Sequence, residues 1–263
     1  MSFVRDSSVV AIIQARMGSS RLPGKVLKDI DGQPMLFRVV VRARHARTLG
    51  RVVVATTTDS GDDPLYAYCR RQGFPVFRGD PYDVLDRYYR AAEAFSAETV
   101  VRLTADCPLI DPAEIDRTVR AFQSAKVDFA ANRLPPPWRR TTPIGMDTEV
   151  VTMNALTRAW REAKAKYARE HVMPYLYEEP GRFKTLLVDH EPDWGALRLT
   201  VDTPEDLALA RRITAYFGGG NDFGMAAAVR ALAEHPEWAR INAGVDHKSY
   251  RDVDDRSDMP AAG

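Results

Sequence analysis

The chain has 263 residues, 45% hydrophobic and 28% charged, a length and mixture that call for one large folded unit with a packed core rather than disorder. Its 37 Lys and Arg against 36 Asp and Glu leave a net charge of +1, which gives no global pull toward nucleic acid or a membrane surface. The two cysteines, Cys69 and Cys107, have no CxxC partner and no histidine at metal spacing, the usage of a reducing compartment. The first apolar run is too short for a signal segment or a membrane span, so a soluble, cytoplasmic protein is expected.

In chain order, apolar β-branched runs alternate with helical patterns. Residues 9–13 (VVAII) predict a buried strand and 35–46 a helix. Residues 52–55 predict a second strand, 62–72 a helix with Pro64 in its first turn, and 76–77 a short strand. Residues 83–95 carry Val84, Leu85, Tyr88, Tyr89 and Ala92 on one helical face. Residues 99–103 predict a strand and 111–124 a helix capped by Asp111, with Pro112 at its first position.

The regular repeat stops after Val127. Residues 132–145 (NRLPPPWRRTTPIG) have no period and predict a long mobile loop, a kind of segment that often carries function. Its Arg133, Arg139 and Arg140 are positioned either to close over an anion or to serve as a solvated linker. Beyond it, 146–151, 183–188 and 197–201 read as strands and 154–164 and 168–177 as helices. Residues 203–216 read as a helix with Thr203 as cap, Pro204 at its first position, and Glu205 and Asp206 complementing the helix dipole. Gly218-Gly219-Gly220 reads as a hinge or linker, 225–234 as one more helix, and 251–263 as a frayed tail. The alternation implies an α/β fold: a mostly parallel sheet with helices on both faces. The domain division expected is 1–217 for the main unit and 218–263 for a C-terminal extension.

Residues 14–27 (QARMGSSRLPGKVL) follow the first strand directly. They are not a P-loop: five residues separate Gly18 from Gly24-Lys25, Val26 stands where a metal-binding hydroxyl belongs, and Pro23 removes an amide donor. Their composition still suits an anion. Gly18, Ser19 and Ser20 offer amides and hydroxyls, and Arg16, Arg21 and Lys25 offer charge, at the strand end where α/β sheets bind ligands. A solvated basic turn is the competing reading.

Two acids stand at predicted strand ends. Asp106, in VVRLTADCPLI, is either a turn residue before Cys107-Pro108 or a magnesium ligand, since magnesium takes one or two carboxylates plus phosphate oxygens and water. Asp202, in LRLTVDTPEDL, is either a helix cap or a second ligand; Thr203 can cap alone. No dinucleotide GxGxxG follows the first strand, and no aromatic stripe suits single-stranded nucleic acid.

The string Ala15-Arg16, Gly18-Ser19-Ser20 and Arg21-Leu22-Pro23-Gly24-Lys25, followed by DGQPML, resembles the N-terminal signature of the cytidylyltransferases that activate 2-keto-3-deoxy sugar acids. These are the KDO and acylneuraminate cytidylyltransferases and, most similar, the SpsF-type spore-coat polysaccharide group. The resemblance runs over residues 9–217, and the SpsF-type group also carries an extension like 225–248. It implies a Rossmann-like nucleotidyltransferase with a small inserted arm, working as a homodimer on CTP and a sugar acid with Mg²⁺ as cofactor. It assigns the triphosphate to Arg16 and Lys25, with Gln14, Ala15, Gly18, Ser19, Ser20, Arg78 and Asp106 around the nucleotide. It also assigns the metal to Asp106 and Asp202; Ala105 stands where the family often has Gly. For Arg78 the residues alone leave a surface loop capped by Asp80 equally open. PIGMDTEV and AREHVMPY resemble segments bordering the sugar, which puts Asp147, Glu149, Arg169 and His171 on the substrate side. A metal-dependent GT-A glycosyltransferase remains the alternative, although Asp106-Cys107-Pro108 lacks a second acid and Asp252-Val253-Asp254 lies in the tail.

Overall fold

The computed structural model describes residues 7–246. The expectation for 251–263, including Asp252-Val253-Asp254, lies outside the described residues. The chain runs β1 (Val9–Gln14), β2 (Asp29–Ile30), β3 (Gln33–Pro34), α1 (Met35–Arg44), β4 (Arg51–Thr57), α2 (Asp63–Arg71), β5 (Val76–Gly79), α3 (Val84–Ala94), β6 (Thr99–Thr104) and α4 (Pro112–Ala125). It continues through β7 (Phe129–Ala131), β8 (Glu149–Thr152), α5 (Met153–Glu162), α6 (Lys166–His171), α7 (Pro174–Tyr177), β9 (Thr185–Leu187), α8 (Pro204–Tyr216), α9 (Met225–Glu234) and α10 (Pro236–Ala239).

Seven strands form one sheet in the order β5-β4-β1-β6-β8-β7-β9. All pairings are parallel except those of β8 with β6 and β7, so β8 alone runs against the rest. This is the Rossmann-like nucleotidyltransferase architecture. The first strand is apolar at consecutive positions because both its faces are covered. Val9, Ala11 and Ile13 pack toward α1, α2 and α4, with Val39, Leu65 and Ile115. Val10 and Ile12 pack toward α3 and α5, with Leu85, Tyr88 and Leu156. A third cluster joins α8 and α9 through Leu209, Ile213, Met225 and Leu232, roofed by Trp238 of α10.

The local signals act as their chemistry dictates. Thr203 caps α8 in a reciprocal box with Asp206. Asp111 caps α4 by accepting from the Ala113 amide at 2.8 Å, and its second oxygen accepts from the Met225 amide at 2.6 Å. One carboxylate therefore starts two helices, one of them in the C-terminal segment.

Several expectations are corrected. Residues 197–201 form no strand, only an isolated bridge between Arg198 and Ile144. Their next partner is the turn at Asp106, whose carbonyl accepts from the Val201 amide at 2.8 Å, so no ladder can continue. The approach is close: a Cβ on Gly145, at φ +104, would stand 2.5 Å from the Thr200 nitrogen. The helix expected over 168–177 is two, broken at Val172 (φ 71) with Pro174 opening the second. Three short pieces were not foreseen, the four-residue α10 among them. β7 has too few residues to show a period, and β2–β3 is a hairpin turned by Asp31-Gly32, both at positive φ. The loop at 132–145 is anchored, with Asn132 bonding to Met146 and Thr148, and Ile144 to Leu197. It is also tied to residues 189–198, where the Thr141 carbonyl accepts from the Trp194 amide and Arg139 pairs with Asp193. Gly218-Gly219-Gly220 is not a free hinge either, because Arg38 on α1 donates to the Gly219 and Gly220 carbonyls.

Candidate active site

β1 lies between β4 and β6, and the loop after it opens over the carboxyl edge of the sheet. The loop is pinned from below. Asp62, 4% exposed, accepts from the Met17 amide at 2.6 Å and from the hydroxyls of Thr56 and Thr57. Gly24 sits at φ 67 and donates its amide to the Met17 carbonyl, which turns Lys25 inward as the first residue of a single 3₁₀ turn.

Lys25 is the centre of the charge network. Its Nζ lies 3.2 Å from Asp106 Oδ2, 2.8 Å from Asp202 Oδ1 and 2.9 Å from the Val201 carbonyl, which uses all three ammonium protons. Asp106 is set by the end of β6 and accepts from the Thr104 hydroxyl. The second oxygen of Asp202 is held by Arg21 at 3.0 Å and Arg198 at 2.9 Å. Burial alone would raise the Asp202 carboxyl, but the Lys25 ammonium, with Arg21 and Arg198, brings it down to about 2. Burial would likewise lower Lys25, and the charges of Asp106 and Asp202 outweigh it and raise the amine. Asp206 is not a simple first-turn charge. Its carboxylate is buried and gathers Arg198, Asn242 and the Asp202 and Thr203 amides.

Arg21, Lys25, Asp106 and Asp202 line a cleft of about 240 Å³, while Arg198 and Asp206 support it from outside the lining. The structure brings Gln14, Ala15, Arg16, Gly18, Ser19 and Ser20 to one wall. Lys25, Asp106 and Asp202 form the floor, and His171 stands on the wall made by α6. It does not bring the other expected residues to the lining. Arg78 spends its donors on the Thr57 and Asp59 carbonyls and on Asp63, tying β5 to β4 and α2. Asp147 pairs with Arg140 at 2.5 Å and faces Arg133. Glu149 is buried in an ion pair with Arg102, which also reaches Gln14 Oε1 at 3.2 Å. Arg169 grips both oxygens of Asp83, docking α6 on the start of α3.

Three polar lining residues escaped the sequence reading: Thr104, Glu170 and Arg87. Arg87 is 2% exposed, donates one bond to the Asp80 carbonyl at 2.9 Å, and has a buried Nε with no partner among the described residues. Burial, together with the charge of Arg16, lowers its pKa. Gly79 makes room for its stem, since a Cβ there would meet Arg87 Cγ at 3.0 Å. No local signal marked it, because a charged residue inside the α3 pattern reads as solvent-facing.

Among the described residues, no three or more His, Cys, Asp and Glu are grouped for a metal. The donor set still fits magnesium. Two carboxylates converge on one point, and a hard cation there would complete its shell with phosphate oxygens and water. No helix among the described residues is long and apolar enough to cross a membrane.

A parallel sheet with a cationic cleft at its carboxyl edge, floored by two acids, defines a nucleotide-handling enzyme of the nucleotidyltransferase class. Residues 10–216 match the family described as cytidylyltransferase. The chain is 32% identical over 240 residues to the spore coat polysaccharide biosynthesis protein SpsF of Bacillus subtilis, covering 89% of this chain and 97% of that one. It is 33% identical over 246 residues to a 3-deoxy-manno-octulosonate cytidylyltransferase of Mesorhizobium japonicum, covering 78% and 98%. A solved cytidylyltransferase from Leptospira borgpetersenii superposes with a TM-score of 0.82 at 33% identity, over 88% of this chain and 96% of that one. The chain belongs to the cytidylyltransferase family and is a CTP-dependent nucleotidyltransferase.

Proposed function

We propose that this chain transfers CMP from CTP to a sugar acid of the nonulosonic or 3-deoxy-octulosonic type, for surface polysaccharide or glycan synthesis. The observation that carries the reading is the convergence of Asp106 and Asp202 on Lys25 beneath a loop that carries Arg16 and Arg21. The acceptor class comes from the two named relatives, one a KDO cytidylyltransferase and the other a polysaccharide biosynthesis protein.

In the proposed reaction a sugar-acid hydroxyl attacks the α-phosphorus of CTP in line. A new P–O bond forms, the bond to the β-phosphate oxygen breaks, and pyrophosphate leaves as the hydroxyl proton is lost. Such transfer depends on positioning and charge neutralisation more than on covalent help. Arg16 and Lys25 hold the triphosphate and neutralise the charge that builds on it. Gly18, Ser19 and Ser20 present amides and hydroxyls to the same oxygens. Asp106 and Asp202 would hold Mg²⁺, which supplies Lewis-acid charge neutralisation at the phosphate. The acceptor lies against the α6 wall, where His171 and Glu170 face it. Homodimerisation is part of the proposal, and light scattering of the purified protein checks it.

The test is pyrophosphate release with Mg²⁺, each of the four nucleoside triphosphates and a panel of 2-keto-3-deoxy sugar acids. Release with CTP and one acid, abolished by EDTA, supports the reading. No release with any pair, together with nucleoside diphosphate release from a nucleotide sugar, overturns it in favour of a glycosyltransferase.

A further inference from the structure

We infer that Lys25 is the resting cation of the Asp106–Asp202 site, so that a divalent metal enters only when a bound triphosphate draws the ammonium away. The inference rests on the metal role proposed above for these two aspartates, and it adds an order of binding that follows from this chain's own geometry.

The two carboxylates converge on a single atom, Lys25 Nζ, at 3.2 and 2.8 Å. A third acceptor, the Val201 carbonyl, completes the ammonium's shell at 2.9 Å. No second cation can share that point, because two cations at contact distance in a partly dry site repel strongly. The lysine side chain is 13% exposed and the two acids 29% and 16%, so the network is not a loose surface pair that opens freely. Without the ammonium Asp106 would be left with neutral donors such as the Thr104 hydroxyl, and the inner oxygen of Asp202 would lose its cation while Arg21 and Arg198 stay on the outer one, a costly state for two acids in a partly dry site. The ammonium therefore leaves only for another anion.

The cleft offers the place for that anion. Lys25 lines it together with Arg16, Ser19 and Ser20, so a triphosphate seated there competes for the ammonium directly. The exchange leaves the acids in position. Arg21 and Arg198 hold the outer oxygen of Asp202, and Thr104 holds Asp106, none of them through Lys25. The resting site is thus already shaped for a cation and filled by the chain's own.

Manganese is the probe, read by the electron paramagnetic resonance signal of the free ion and by water proton relaxation. Without nucleotide, Lys25→Gln is expected to bind one Mn²⁺ per chain at least about tenfold more tightly than the wild type. The gain should vanish when Asp202→Asn is added, and Lys25→Arg should keep the wild-type exclusion. With CTP present, the wild type should enhance relaxation beyond Mn²⁺–CTP alone, and Asp202→Asn should not. The CTP arm uses the wild-type fold, so it reads out even if Lys25→Gln unfolds. Equal Mn²⁺ affinity of wild type and Lys25→Gln without nucleotide, lost with Asp202→Asn, overturns the guarding role and leaves the metal site standing. So does enhancement with CTP but no binding by a folded Lys25→Gln. No binding in any arm, with or without CTP, removes the metal reading itself and the inference with it.

Discussion

The Arg42 guanidinium donates to the carbonyl of Asn221 at 2.8 Å, and so joins α1 to the segment that links α8 and α9. The same side chain reaches the carbonyls of Phe223, Ile110 and Leu109, lies 4.5 Å over the Phe223 ring, and is 1% exposed. Among the described residues no carboxylate pairs with it, and burial lowers its pKa to about 10. It is a cation solvated by backbone oxygens.

Removing it leaves those oxygens dry. Arg42→Met should destabilise the protein by about 3 kcal/mol or more, since each buried polar group left unpaired costs about 1–3 kcal/mol. Arg42→Lys should cost less, because it keeps the charge while losing the planar fork. Urea midpoints of the two variants against the wild type check the order, and a Met variant as stable as the parent would refute it.

This contact also shows where the sequence stopped being readable. Arg38 and Arg42 stand four residues apart on α1 and look like a solvated stripe, while three glycines after α8 look like a linker. Only the folded chain shows that Arg38 meets the glycines and Arg42 the residues just after them. By contrast β1, the loop after it and the caps Asp111 and Thr203 were legible, because each is written in a few adjacent residues. The cleft's floor was legible for the same reason, since Asp106 and Asp202 each sit in a short distinctive string. Arg78 and Arg169 were legible as charges but not as partners: Asp63 and Asp83 meet them only through tertiary packing.

Arg87 should matter for nucleotide affinity. A buried guanidinium with an idle Nε beside Arg16 is ready for an anion. Arg87→Met should raise KM for CTP about tenfold to a hundredfold, the range for hydrogen bonds to charged groups. Initial-rate kinetics at saturating acceptor measure it; an unchanged KM in a folded variant would remove Arg87 from the binding surface.

Asp106→Asn and Lys25→Ala should each lower kcat by about 10²–10³ while the chain stays folded. Steady-state pyrophosphate release, with circular dichroism melts as the folding control, decides it. Wild-type turnover in either variant would exclude that residue from the reaction.

The thiols should be silent. Burial pushes Cys69 up to about 12, and burial with the nearby charge of Asp106 pushes Cys107 up as well. A raised pKa keeps the thiol protonated, so the thiolate that reacts is scarce up to pH 9. Titration with a disulfide reagent at pH 8 should show two slow thiols in the native protein and two fast ones in denaturant. A fast native thiol would contradict the burial.

The bond from Lys25 to Asp202 spans 177 positions of sequence. Synthesis runs from the N-terminus, so a chain still on the ribosome carries Arg16 and Lys25 long before their partner exists. Until residue 202 emerges, the loop after β1 is a basic segment with no second acid to seat it. The finished cleft, with both acids gathered on Lys25, therefore exists only once the last stretch before α8 has docked against the first turn after β1.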